Sequence, residues 1–465
     1  MTLQQMFRQA LAHQRRGKLA EAEALYRQVL EKEPEAVAAW INHGVTLQGL
    51  GHLAEALASF DQAVTRMPTN ASAWHNRALV LLELNQHAGA LESFEKVLVL
   101  SPRHADAWRG RAHALLTLGF SKEALKSLDR ALELAPSHPE TMFRRAAILY
   151  VEQRFDQALI VLDAILTIQP DYPDAMALKG ALLCEIRRAP EGMACYLRHA
   201  ETVFLMRPVT DAADAELKKK HDSEQREWMT AHGIVANGFH LEEGARVEGR
   251  AVNPANSEGV ERRWRDSDPQ IVVVDNLLTA PALIALRHFC WGSTIWRNAY
   301  PSGYLGALPQ QGFSCPLLAQ IADELREVFP DVIGDNGLGL MWGFKYDNQH
   351  SGIPLHADQA KVNVNFWIAP EDANRDAESG GLVIWDVKAP LNWDFSRYNG
   401  NETAIRAFLA RGGAKPITIP HRANRAVIFD SDLFHASDRI DFKEGYQNRR
   451  INVTMLYGRR TFLGG

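Results

Sequence analysis

Prolines fall at Pro34, Pro68, Pro102, Pro136 and Pro170, each 34 residues after the last. A period of that length commits the first part of the chain to a stack of like units rather than to one closed core. Alanines keep the same step at Ala22, Ala56, Ala90, Ala124 and Ala158, and four residues after each comes a large apolar side chain: Tyr26, Phe60, Phe94, Leu128 and Leu162. Trp40, Trp74 and Trp108 mark the start of three units, with Met142 and Met176 in the same phase. A small residue at fixed phase lets the two helices of a unit approach, a large one fills the gap between units, and the proline closes the second helix.

These positions resemble the tetratricopeptide repeat family over about residues 1–205. A sixth unit near Asp171, in which Gly192 replaces the phased alanine and Pro190 intrudes, reads as a capping helix pair. The resemblance implies an all-α solenoid whose concave face holds an extended peptide or protein segment. Residues 206–268 change character, with a charged helix around "LKKKHDSEQREW" and then a loop rich in Pro, Asn and Gly, and are expected to form a connector.

Composition narrows the classes. The chain has 465 residues, 46% hydrophobic and 23% charged, as expected of two or three globular domains. Its net charge of -5 and lack of a long basic run leave no electrostatic footprint for nucleic acid or an anionic membrane. No apolar run approaches the roughly 18 residues of a membrane helix, and the opening residues carry no apolar signal region; the expected location is cytoplasmic. Cys184, Cys195, Cys290 and Cys315 are too few and too scattered for a disulfide framework or a CxxC metal site.

Residues 269–465 read as a second domain. "QIVVVD" is a β-branched strand, followed by a turn with Thr279 as candidate N-cap, an amphipathic helix and a second helix at "PLLAQIADELREVF". From about Gly339 onward come short strands, "LMWGFKYD", "KVNVNFWIA", "GGLVIWDV", "KPITIP", "RAVIFDSDLFHAS" and "RINVTMLYG", which predict an antiparallel sandwich or jelly roll. The fold class is therefore α + β multidomain.

Within it, "PLHADQAKVNVNFWI" places polar groups where a buried strand is expected. On extended backbone His356 and Asp358 project to one face, two thirds of a 2-His-1-carboxylate metal site. His435, 435 − 356 = 79 residues on, ends an apolar strand and is the expected third ligand; His421 and His350 are competitors in loop-like contexts. In "RINVTMLYG", Arg450, Asn452 and Thr454 share one face and Ile451, Val453 and Met455 the other. A guanidinium on the polar face suits a bidentate hold on a carboxylate, and alternation turns the adjacent Arg449 away. Asn363 and Asn365 share a strand face beyond the HxD pair and are candidates for contacts to the ligands or substrate. Asp430 and Asp432 read as turn residues, and Trp342, Trp367 and Trp385 as core.

This set resembles the Fe(II)/2-oxoglutarate-dependent oxygenases of the prolyl-hydroxylase-like group over about residues 269–465. The resemblance implies a double-stranded β-helix (jelly roll) with flanking helices, His356, Asp358 and His435 as iron ligands, and Arg450 as the cosubstrate clamp. It also implies Tyr346 and Asn452 as 2-oxoglutarate contacts, although "YDNQHSG" lacks the glycine usual after that tyrosine. Such a site couples decarboxylation of 2-oxoglutarate by O2 to hydroxylation of a substrate, here a protein side chain brought by the repeats. Proline, asparagine, aspartate and lysine remain open as targets, as do a small metabolite or a glycan-bearing substrate. Two other readings are a non-catalytic repeat protein carrying a degenerate barrel, and a cupin-like metalloenzyme without 2-oxoglutarate, which has no use for Arg450.

Overall fold

In the computed structural model, residues 1–205, 216–236, 238–256, 259–350 and 352–460 are described. They form two compact units, Met1–Pro170 and Asp171–Gly465.

The first unit is a series of ten helices, from Leu3–Arg15 and Leu19–Lys32 to Pro139–Val151 and Phe155–Ile168. The phased alanines and the large residues four later are all fully buried. The close approach is real: a Cβ on Gly110 would run into the Phe94 ring, and one on Gly44 would meet Phe60 at 2.7 Å. The indole Nε1 of Trp40, Trp74 and Trp108 donates to the carbonyls of Pro34, Pro68 and Pro102 at 2.7, 2.8 and 2.9 Å. Each tryptophan thus satisfies a carbonyl left open after the preceding helix, which is why the two residue types keep step. A polar ladder repeats too. Arg77 donates from Nε to Asp61 and from Nη1 to Ser93, both at 2.7 Å, and Arg111 does the same to Glu95 and Ser127 at 3.3 and 2.7 Å.

The second unit begins earlier than expected. Helices Pro173–Glu185 and Ala189–Phe204, read above as the end of the solenoid, pack against helix Pro316–Val328 and the sheet behind it. Cys184, Ala189 and Met193 join its main core. Gly192 explains itself: a Cβ there would meet Cys184 Sγ at 2.5 Å, so the phased alanine is excluded by the closeness of the two helices. The expected connector is likewise part of the core. Residues 206–215 lie outside the described residues, but helix Glu216–Ala231 buries Trp228 and Met229 and its Gln225 donates to the carbonyls of Trp291 and Ser293.

Twelve strands follow: β1 (Ile271–Val274), β2 (Asn298–Tyr300), β3 (Tyr304–Ala307), β4 (Leu338–Tyr346), β5 (Gln349–His350), β6 (Val362–Trp367), β7 (Leu382–Lys388), β8 (Pro416–Ile419), β9 (Ala426–Asp430), β10 (Leu433–Ser437), β11 (Ile440–Asp441) and β12 (Ile451–Tyr457). They make antiparallel sheets of seven strands, ordered β1-β9-β6-β12-β4-β3-β2, and of three, ordered β10-β7-β8, with β5 and β11 as a separate pair. One face of the large sheet, through Val364, Phe366, Val453 and Met455, packs on Phe289, Leu318, Ile321 and Leu325 of the helices. The other face, through Trp367, Val427 and Phe429, meets Leu382, Ile384, Ile419 and Leu433 of the small sheet.

Two local expectations are corrected. "RAVIFDSDLFHAS" is two strands in different sheets, broken at Ser431–Asp432, where Asp430 Oδ1 accepts from the Asp432 N–H at 2.9 Å. Thr279 occupies the N-cap of helix Ala280–Gly292 without capping it, because its hydroxyl donates instead to the Arg250 carbonyl at 2.9 Å. Helices Phe395–Asn399 and Glu402–Gly412 and the β2–β3 hairpin carried no signal that the sequence pattern picked up.

Candidate metal centre and its cleft

The stretch 354–368 is strand only from Val362, so His356 and Asp358 do not owe their shared direction to strand alternation. The backbone of His356 instead makes an isolated antiparallel bridge to His435, with N–H to O distances of 3.0 and 2.8 Å in the two directions. Ala357, between the ligands, donates to the Tyr398 carbonyl at 3.0 Å and accepts from Asn399 Nδ2 at 2.9 Å. Asp358 N–H then donates to the Ser431 carbonyl at 3.1 Å. These bonds replace the strand ladder and turn the two side chains inward beside His435.

His356 Nε2 lies 3.6 Å from Asp358 Oδ1, and His435 Nε2 lies 3.4 Å from Asp358 Oδ2. The three ligand atoms are within 4.8 Å of one another, and among the described residues no other group of His, Cys, Asp and Glu converges in this way. His356 Nδ1 faces the Pro354 carbonyl at 2.8 Å and His435 Nδ1 the Leu433 carbonyl at 3.0 Å. Since a carbonyl can only accept, each Nδ1 carries its proton and each Nε2 offers a lone pair inward. Burial, with His435 as neighbour, holds His356 down at about 4, so its imidazole is neutral. Burial pushes the Asp358 carboxyl up, but the two imidazoles beside it and the hydrogen bond donated by Asn363 keep it below its ordinary value. Two imidazole nitrogens and one carboxylate on one side of a cleft fit a divalent first-row metal.

Arg450 is fully buried in the same cleft. Its Nε and Nη2 donate to the carbonyls of Gly380 and Gly381 at 2.6 and 3.1 Å, and Nη1 donates to Asn452 Oδ1 at 3.3 Å. The guanidinium stacks 4.5 Å from the Tyr346 ring centroid. Among the described residues no carboxylate pairs with it. The Gly380–Gly381 pair was missed as a functional feature. Gly380 has φ +81, and a Cβ on Gly381 would strike the Ile419 carbonyl, so only this dipeptide presents both carbonyls to Arg450. Adjacent glycines opening a strand were the available signal.

The remaining candidates divide. Tyr346 is buried with its hydroxyl 3.4 Å from Ser437 Oγ, and it lines the cleft with Asn365, Asn452 and Thr454. Asn365 Nδ2 donates to Thr454 Oγ1 at 2.9 Å and leaves its own carbonyl oxygen unpaired. Asn363 does not line the cleft; its Nδ2 donates to Asp358 Oδ2 at 2.7 Å and orients that carboxylate. Arg449 points away and pairs with Glu224 and Asp347 at 2.8 and 3.0 Å. His421 is outside the ligand group, against Trp367 and Phe442 at 5.7 and 5.0 Å, and is held at about 3 by burial and then by Arg450. The side chain of His350 lies outside the described residues. Trp367 is core as expected, whereas Trp342 is a correction: it is half-buried and forms the cleft wall with Tyr300, Tyr304 and Phe344. The cleft has a volume of about 350 Å³.

A tetratricopeptide-repeat model matches residues 7–71, 41–105, 75–119 and 109–173. The N-terminal unit is a tetratricopeptide array. Among solved structures, one reported as "YrrB: a TPR protein with an unusual peptide-binding site" is similar to 38% of this chain over 92% of its own, at 24% identity and a TM-score of 0.36. PilF of Pseudomonas aeruginosa matches 43% of this chain and 91% of its own at 17% identity, TM-score 0.38. A tetratricopeptide repeat protein from Parabacteroides merdae matches 50% and 94% at 18% identity, TM-score 0.38. No curated protein matches the chain.

Proposed function

We propose that the second unit is an Fe(II)- and 2-oxoglutarate-dependent dioxygenase that hydroxylates a peptide or protein side chain recruited by the tetratricopeptide array. The observation that carries this reading is a fully buried guanidinium with no ion pair to a carboxylate among the described residues, in one cleft with two histidines and an aspartate that converge. A buried charge lacking its counterion is costly, so Arg450 is best understood as waiting for an anionic ligand. A cupin-like site has no such need, and a scaffold has no need of the triad.

On this reading the two facing sheets are a double-stranded β-helix, and His356, Asp358 and His435 hold the iron. The iron with 2-oxoglutarate and O2 supplies the oxidising chemistry. Arg450 and Asn452 hold the far carboxylate of 2-oxoglutarate, and Tyr346 closes the pocket beside it. Asn363 fixes the Asp358 carboxylate, and the aromatic wall of Tyr300, Tyr304, Trp342 and Phe344 excludes water from the substrate side. Among the described lining residues the Asp, Glu, Lys, Arg and His side chains are the triad and Arg450. A lysine or aspartate target would be desolvated there without a partner, so an uncharged side chain is the preferred target. Tethering by the repeats raises the local concentration of that segment.

The test is an anaerobic visible spectrum of the Fe(II) protein on adding 2-oxoglutarate, beside His356→Ala and Arg450→Ala. A weak charge-transfer band in wild type that both variants lose is the expected result. Iron binding without a band removes the cosubstrate, and absence of iron binding leaves the repeats as the functional half.

A further inference from the structure

Helix Phe395–Asn399 belongs to neither sheet, yet its last two residues hold the backbone between the two ligands of the HxD turn. Tyr398 accepts the Ala357 N–H through its carbonyl, and Asn399 donates from its side chain to the Ala357 carbonyl, so both polar groups of that one peptide position are satisfied by this short helix. The helix is itself held from a distance. The fully buried Tyr398 ring lies 4.1 Å from the guanidinium carbon of Arg460, just past the end of β12. Arg460 is also buried, with its Nε 2.6 Å from Asp432 Oδ1 and its Nη2 donating to the carbonyls of Ala389 and Pro390 at 2.8 and 3.1 Å. Asp432 stands three residues before His435, and its carbonyl accepts from the Ala389 N–H at 2.7 Å.

One arginine therefore contacts residues that hold both halves of the ligand set. Through Tyr398 it braces the turn bearing His356 and Asp358; through Asp432 it braces the turn that leads into His435. The geometry points to Arg460 and Asn399 as positioning residues for the metal, fixing the separation of the HxD turn from the distal histidine before any ion arrives. The physical reason is that the turn has no continuous strand ladder of its own: without the Ala357 bonds the His356–His435 bridge keeps only the Asp358–Ser431 and Ser437–Ile353 backbone bonds on either side of it. A planar fork that binds a carboxylate and two carbonyls while stacking on a ring does what an ammonium cannot. Groups hydrogen-bonded directly to metal-ligating side chains typically change affinity by about 10–100-fold; Asn399 and Arg460 act one step further out, at the low end of that range.

This inference rests on the triad holding a metal, and the test separates the two. Full-length protein stripped of metal is titrated with Co(II) alone, without 2-oxoglutarate, for wild type, His356→Ala, Asn399→Ala, Arg460→Ala and Arg460→Lys, with the melting temperature of each apoprotein alongside. Expected is tight binding in wild type that His356→Ala abolishes, and a dissociation constant raised about ten-fold or more in Asn399→Ala and in both Arg460 variants. Arg459→Ala, which breaks the neighbouring pair with Glu185, is the control for a merely structural loss and is expected to lower the melting temperature without moving the dissociation constant. Wild-type affinity in folded Asn399→Ala and Arg460→Lys overturns the positioning role while leaving the metal site intact. No binding by wild type overturns the metal reading itself, and this inference with it. If Arg460→Ala does not fold, Asn399→Ala, which removes one hydrogen bond from a half-buried side chain, decides the matter.

Discussion

The two units bury their polar groups by opposite means. In the repeat unit the contacts that join helices recur at several units: tryptophan to proline six residues earlier, and arginine to partners 16 residues to either side. In the second unit the decisive contacts occur once each and join distant segments, as Arg450 joins Gly380 and Gly381 and Asn399 joins Ala357. A periodic scheme spreads the consequences of a lesion over one unit and its neighbours. A scheme of unique contacts concentrates them, because no second residue supplies the same bond.

The sharpest way to break that contrast is at the triad. Asp358→Ala is expected to remove Fe(II) binding and all 2-oxoglutarate turnover, scored as absence of succinate, while the helical circular dichroism of the repeats is unchanged. Next in size, Phe94→Ala empties a fully buried site against Gly110 and His75. It should cost about 3–5 kcal/mol in the repeat unit, seen in chemical denaturation, with metal affinity unaltered.

Lys345 offers a smaller effect of the opposite sign. It sits on the helix-facing side of β4, its Nζ 3.4 Å from the Tyr446 ring centroid and without a hydrogen-bond partner. Burial, then the charge of Arg449, pushes its ammonium well below the ordinary value. Below the free-lysine pKa of about 10.4, the unfolded chain therefore binds more protons than the folded one, and stability rises with pH toward that value. Lys345→Met should raise stability by about 1–3 kcal/mol near neutrality. The gain should shrink as pH approaches 10, checked by calorimetry across pH. The smallest effect is expected from Arg111→Ala, about 0.5–1 kcal/mol, because Glu95 and Ser127 can turn to water and the neighbouring rungs remain.

Legibility followed the same contrast. The repeat helices could be placed from phase alone, since every contact that defines them lies within about one period. In the second unit, alternation along "RINVTMLYG" expects Arg450 and Arg449 to diverge, and they do, Arg450 to the Gly380 and Gly381 carbonyls and Arg449 to Glu224, although both precede β12, which begins at Ile451. The same reasoning applied to His356 and Asp358 expected them on one face through strand alternation; they do converge with His435, but their turn is shaped by Tyr398, Asn399 and Ser431 rather than by a ladder. Trp342 was misjudged because an indole facing a cleft and one facing a core have the same pattern in a strand.

By itself the sequence determined the helical array, the antiparallel strand content of the second unit and the polar side chains that share a cleft. Those are consequences of periodicity, and periodicity is local. Tertiary structure alone decided that the second unit begins at Asp171, that Gly380 and Gly381 present carbonyls to Arg450, and that Arg460 lies between Asp432 and the Tyr398 ring. Each of these depends on which distant segment packs where, and on a buried polar group taking whatever partner that packing brings within reach.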